Sequence, residues 1–152
     1  MSNTPNYTVQ CSSEIGQLKR VIVHRPDQGI ARISPRRAEE LLFDDIVHLP
    51  QMQQEHDVFT AILKAFLGKE NVLETGPLLR EALDADEEYK SWVVEKVLDF
   101  EELPKSYREL LDELDNTALA QVLITGYSLK HDRIFFDPIP NFIFTRDIAV
   151  TI

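Results

Sequence analysis

Asn141, Phe144 and Asp147 fall within the eight residues Pro140-Asn141-Phe142-Ile143-Phe144-Thr145-Arg146-Asp147. An amide and a carboxylate flank an apolar, aromatic stretch with strand character, and the strand pattern breaks at the charge pair Arg146-Asp147. A carboxylate at a strand end, backed by aromatics, suits a planar cation. The fork of a guanidinium matches the two oxygens of one carboxylate. Strand ends are also where rigid scaffolds present working side chains. Taken alone, the string is open to a second reading, a core strand ended by a solvated surface ion pair.

The elements that must position these residues begin near the N-terminus. Val21-Ile22-Val23 is a β-branched run stopped by Arg25-Pro26, which predicts a short buried strand. Residues 35–49 read as helical, with Ser34 as N-cap and Pro35 in the first turn. From Pro50, apolar residues at Met52, Phe59, Ile62, Leu63, Phe66 and Leu67 recur at helical steps, and Gly68 is the expected stop. Asn71-Val72-Leu73-Glu74 reads as a second short strand. A strand followed by a helix that packs back on it opens an α/β fold.

From Pro77 to about Gly126 the pattern is helical. Four apolar stripes are expected: Leu78/Leu79/Leu83, Trp92/Val93/Val97/Leu98, Leu110/Leu111/Leu114 and Leu119/Val122/Leu123. Glu101-Glu102-Leu103-Pro104 separates the second from the third, and Asp115-Asn116-Thr117 caps the fourth. Strands are expected to return at Ile134-Phe135-Phe136, at Phe142 to Phe144 and at Ile148 to Ile152, with a turn at Asp137-Pro138-Ile139-Pro140. The chain stops inside an apolar run, so a continuation or a partner strand is expected to complete it.

Three stretches in this order resemble the arginine deiminase family. They are Glu14-Ile15-Gly16-Gln17-Leu18-Lys19-Arg20-Val21-Ile22-Val23-His24-Arg25-Pro26, then Leu41-Leu42-Phe43-Asp44-Asp45-Ile46, then the 140–147 motif. The resemblance covers almost the whole chain and is loose between about residues 69 and 130. It implies an α/β fold, a partial α/β propeller of the pentein type with an inserted helical subdomain. The expected division is a first propeller module at 1–74, a helical insert at 75–126, and returning propeller strands at 127–152.

The resemblance also implies a reaction. In the family, carboxylates grip the guanidinium, a cysteine thiolate attacks its carbon, ammonia leaves, and a histidine-assisted water releases citrulline. Asp147 matches the first gripping carboxylate. Asn141 matches the residue that helps hold the substrate's α-carboxylate end, and Phe144 an aromatic against its aliphatic part. Many relatives place Pro after this Asp; here it is Ile148. On an ideal strand Asn141 and Asp147 would be about 20 Å apart at roughly 3.3 Å per residue. Both can touch one arginine only if the backbone between them leaves strand geometry.

The family's nucleophilic Cys, its His and its second carboxylate belong to a later part of a longer chain, so residues 1–152 alone are expected to be inactive. Cys11 lies before the first motif and reads as incidental. His24 reads as a structural hydrogen-bonding residue, Asp44 and Asp45 as helix-end or loop-positioning residues, and His131-Asp132 as a turn pair. His48 and His56 lack a third ligand at useful spacing, and no Gly-rich phosphate loop occurs. No metal and no cofactor is therefore expected. The alternatives are amidinotransfer or dimethylarginine hydrolysis on the same fold, and a non-catalytic interaction module built on the acidic helices.

Composition is compatible with these readings. A length of 152 residues fits one domain, with 43% hydrophobic and 28% charged residues. Acidic residues outnumber basic ones 26 to 16, for a net charge of −10, which argues against nucleic acid as a partner. A negative field mildly favours a cationic small molecule. No apolar run reaches the roughly 18 residues of a membrane span, Met1 to Val9 lacks a signal-peptide layout, and a single cysteine allows no internal disulfide. The expected setting is cytoplasmic, with no membrane partner. The expected partner is an arginine-like guanidino molecule, and an open strand edge also allows a homo-oligomer.

Overall fold

The computed structural model describes residues 13, 15–33 and 48–146. Strand β1 (Val21–Val23) leads through Pro26 into a one-turn helix α1 (Gln28–Ala31). Asp27 caps α1 by accepting from the Gly29 N–H at 2.7 Å. Helix α2 (Leu49–Leu67) starts with Pro50 in its first turn and stops at Gly68, whose φ of 85° suits glycine. A 3-10 turn (Lys69–Asn71) then delivers strand β2 (Val72–Glu74). β2 pairs in parallel with β1: Val21 faces Val72, Ile22 faces Leu73 and Val23 faces Glu74. Strand, helix and parallel strand are the α/β opening expected from the residue pattern.

Four helices come next: α3 (Thr75–Ala85), α4 (Glu87–Phe100), α5 (Tyr107–Asp112) and α6 (Asn116–Thr125). The expected break at 101–104 and the cap at Asp115 hold, and Asp86 adds a cap that the residue pattern had not singled out. Asp86 accepts from the Glu88 and Tyr89 amides at 2.9 and 3.1 Å. Asp115 accepts from Ala118 N–H at 2.8 Å, and Glu102 turns the chain with φ 50°. The core lies among these helices. Leu83, Val94, Leu111, Leu114, Leu119, Val122 and Leu123 are buried together with Phe135 and Phe136.

Four expectations need correction. The second helical stripe is shifted: Val94 is fully buried whereas Trp92 is 53% exposed, stacked on Tyr89 with ring centroids 5.9 Å apart. The indole is kept out because α4 turns Val94, Val97 and Leu98 toward the other helices. The returning strand lies upstream of its expected place. β4 is Arg133–Ile134, paired antiparallel with β3 (Tyr127–Ser128); Phe135 N–H adds one more bond to Gly126 O, and the Phe135 and Phe136 side chains fill the helical core. The apolar side chains of α2 are not all packed: Phe59, Ile62 and Phe66 are 52, 53 and 85% exposed. Phe59 and Ile62 are only half covered, Phe59 meeting the His56 ring, and Phe66 is almost fully open.

The fourth correction concerns the motif itself. Phe142 to Phe144 is not a strand, because Pro140–Ile143 forms a 3-10 helix. Pro140 has no N–H to give a ladder and its fixed φ suits a helical first turn. Phe142 N–H bonds to Ile139 O at 3.1 Å, and Phe144 N–H to Asn141 O at 3.0 Å. Of the helix expected at 35–49 only residues 48 and 49 are described, Leu49 opening α2; the strand at 148–152, Ser34, Cys11, Glu14, Asp44, Asp45 and Asp147 lie outside the described residues. Among the described residues no helix is long and apolar enough to cross a membrane.

Candidate functional site

The 3-10 helix changes the reach of the motif. Such a helix advances only about 2 Å per residue, so Asn141 is brought closer to residues 144–146 than an extended chain would allow. The condition set by the length of one arginine, that the backbone leave strand geometry, is thus met at Pro140–Ile143. The Thr145 hydroxyl donates to the Ile22 carbonyl at 2.9 Å, which ties this segment to β1.

Between β1, α2 and this segment lies an open cleft of about 410 Å³. Val21, Ile22, Val23 and His24 form one wall, His56 and Phe59 a second, and Ile143, Phe144, Thr145 and Arg146 a third. Phe144 is half exposed on this cleft. Asn141, half-buried in the 3-10 helix, is not part of the lining. The structure therefore brings Phe144 together with the end of β1, leaves Asn141 behind the turn, and does not describe Asp147.

His24 is buried where β1 ends. Its Nδ1 lies 2.5 Å from Thr75 Oγ1 and its Nε2 lies 3.3 Å from Asp27 Oδ2. Both ring nitrogens are engaged, in keeping with the structural role expected of it. The ring meets Phe142 edge-on, with centroids 5.0 Å apart. The next residue, Arg25, clasps Asp57 through two hydrogen bonds, Nε to Oδ1 at 2.7 Å and Nη2 to Oδ2 at 2.9 Å. Its backbone N–H is held by Glu74 at 3.1 Å. The shared hydrogen bonds raise the Arg25 pKa and lower that of Asp57. The pair is exposed, so it orients the β1 end toward α2 more than it stabilises the fold.

His56 stands on the α2 wall, and its Nδ1 is buried with no hydrogen-bond partner among the described residues. Burial lowers its pKa, partly opposed by Glu74 and Asp57. Linkage sets the sign of the consequence. An unfolded histidine takes a proton near pH 6.5, while the folded one resists it, so protonation favours unfolding. Stability is full above about pH 6.5 and falls as pH drops below that value. Thermal melts from pH 7.5 to 5.5 are expected to show a falling Tm, and His56→Gln to flatten that fall. An unchanged slope in His56→Gln would assign the effect to other groups.

His131 is held by the Leu110 carbonyl at 3.0 Å, and Asp132, at φ 45°, accepts from Tyr127 OH at 2.6 Å. Asp132 makes the turn contact expected of the pair, whereas His131 reaches across to α5. Among the described residues no group of three or more His, Cys, Asp or Glu side chains could hold a metal ion. Sequence reasoning missed the contact of Thr145 with β1, His56 and Phe59 as walls of the cleft, and the Arg25–Asp57 pair. Only Thr145 carried a local signal, a hydroxyl inside the motif. Arg25 and Asp57 are 32 residues apart and nothing in either segment announces the pair.

Comparison with known proteins gives the family. A sequence model of the arginine deiminase family matches residues 39–152. The chain is 34% identical over 158 residues to the arginine deiminase of Mycolicibacterium gilvum (strain PYR-GCK), a match covering 90% of this chain and 39% of the relative. It is 32% identical over 167 residues to the arginine deiminase of Bacillus cytotoxicus and, separately, to that of Bacillus cereus (strain B4264), each match covering 96% of this chain and 40% of the relative. The chain thus spans about two-fifths of the length of the curated relatives it matches. With the family model extending through the Pro-Asn-Phe-Ile-Phe-Thr-Arg-Asp motif, the chain belongs to the arginine deiminase family.

Proposed function

We propose that residues 1–152 form the N-terminal portion of an arginine deiminase-like hydrolase that converts arginine and water to citrulline and ammonia. The carrying observation is the family match through residue 152, which takes in the whole 140–147 motif. In this reading Asp147 grips the guanidinium, Asn141 helps hold the α-carboxylate end, and Phe144 packs on the aliphatic stem. The exposure of Phe144 beside the end of β1 supports the third role.

The chemistry divides between two parts of the polypeptide. A guanidinium is a poor electrophile because its charge is delocalised. Carboxylates fix its plane, and exclusion of water strengthens their hold. A thiolate adds to the central carbon, the C–N bond breaks and ammonia leaves, and water then cleaves the C–S bond to give citrulline. The thiolate, the histidine and the second carboxylate come from residues beyond this portion. No metal or organic cofactor is needed, since the electrophile is already cationic and the nucleophile is a side chain.

The same reading gives a partial α/β propeller with residues 75–126 as an inserted helical subdomain. It also gives a cytoplasmic enzyme with a small guanidino substrate and neither nucleic acid nor membrane as partner. The complete polypeptide is expected to release citrulline and ammonia from arginine in equal amounts, and residues 1–152 alone to release none. Citrulline formation by residues 1–152 would overturn the division of the site. Preference of the complete protein for dimethylarginine, or transfer of the amidino group to glycine, would move it to a sister chemistry.

A further inference from the structure

We propose that Thr145, with His24, acts as a positioning latch that sets the gripping carboxylate of the site; this rests on the deiminase reading above. The motif touches β1 at two points. Thr145 Oγ1 donates to Ile22 O at 2.9 Å, joining positions 123 apart in the chain. Three residues earlier, the Phe142 ring meets the edge of His24. His24 cannot rotate away freely, because Thr75 and Asp27 engage its two nitrogens. The turn between the two points is closed by the Phe144 N–H to Asn141 O bond at 3.0 Å. The segment from 142 to 145 is therefore pinned to a strand that is itself paired, through Ile22 opposite Leu73, to β2.

The latch bears on residue 147 through covalent geometry alone. Residue 147 follows Thr145 by two peptide units, which span at most about 7.6 Å between Cα atoms. A carboxylate that must meet a guanidinium in plane tolerates little error, and a misplacement of about 1 Å costs on the order of 100-fold in rate. The latch bond itself contributes little to stability. Ile22 is half exposed, so water can replace the hydroxyl at its carbonyl. Positioning and folding are consequently separable by measurement.

The test uses Thr145→Val, which keeps the shape and removes the donor, and Thr145→Ser, which keeps the donor. In the complete protein Thr145→Val is expected to lower kcat for arginine by about 10- to 100-fold, and Thr145→Ser to stay within about threefold of wild type. Both variants are expected to melt within about 3 °C of wild type. In parallel, amide hydrogen exchange at Phe144 and Arg146 is expected to accelerate at least about tenfold in Thr145→Val. Wild-type kcat with unchanged exchange in Thr145→Val overturns the latch. So does a loss that tracks a lowered Tm and is not recovered by Thr145→Ser, which marks a purely structural role. If the wild-type protein does not turn over arginine, the deiminase reading fails by itself. Unaltered exchange in Thr145→Val would still refute the anchoring.

Discussion

Gly126→Ala is expected to destabilise the fold by about 3–5 kcal/mol, at the upper end of single substitutions. Gly126 ends α6 in the left-handed region, with φ 68°. Its N–H closes the helix on Val122 O at 2.7 Å, and its carbonyl accepts from Phe135 N–H at 2.8 Å. A Cβ at this position would sit 2.1 Å from the Phe136 carbonyl oxygen and 2.8 Å from its carbonyl carbon. Both are backbone atoms of the segment that carries Phe135 and Phe136 into the core, so they cannot swing aside as a side chain would. The strain of the left-handed conformation, about 1 kcal/mol, adds to this clash. At 2–4 °C per kcal/mol for a domain of this size, Tm should fall by roughly 6–20 °C. Gly76 supplies the control. A Cβ there meets nothing within 4 Å, so Gly76→Ala in α3 is expected to raise stability by about 0.5–1 kcal/mol. Equal effects of the two substitutions, read by thermal or urea melts, would show that the contact at Phe136 is not what matters.

The position of Gly126 shows how the chain divides into what could and could not be read in advance. A glycine after an apolar helical stripe is a helix stop, and the stop, the cap at Asp115 and the short strands at 21–23 and 72–74 all follow from local pattern. Local pattern does not say what lies over the glycine. Phe135 and Phe136 have strand propensity, yet the strand pairing ends at Ile134 and one further bond, and both rings go into the helical core. Trp92 satisfies the helical period of α4, but burial goes to Val94 further around the helix. At the motif, aromatic and β-branched residues pointed to an extended chain, while Pro140 set a 3-10 turn. Tertiary demand overrode propensity at the core positions, and a single proline did so at the motif. The identities at 141 and 144 were legible because a motif names residue types in order. The surroundings of Phe144 were not, since His24, His56 and Phe59 come from elements 80 and more residues away.

Asp147→Asn in the complete protein is expected to reduce kcat/KM for arginine by about 100- to 1,000-fold, the range found when one partner of a buried charge pair loses its charge. The substitution keeps the shape and one oxygen acceptor, so it isolates charge and the second oxygen. A carboxylate presents two acceptors to two parallel N–H groups of the guanidinium, whereas an amide presents one acceptor and directs a donor at a donor. The loss should appear in both KM and kcat, because the same contact holds the ground state and fixes the plane for attack. Lysine offered in place of arginine as the ligand should gain no binding advantage from Asp147, since an ammonium has no planar fork to match it. Asp147→Glu separates reach from charge. It retains both oxygens but moves them by about one carbon–carbon bond, so a partial loss is expected where placement governs, in line with the latch at Thr145. Should Asp147→Asn keep wild-type kcat/KM and arginine affinity, the carboxylate is no substrate ligand. Residues 140–147 would then read as a surface ion pair ending a turn, and the acidic helical portion would become the better candidate for what this part of the protein does.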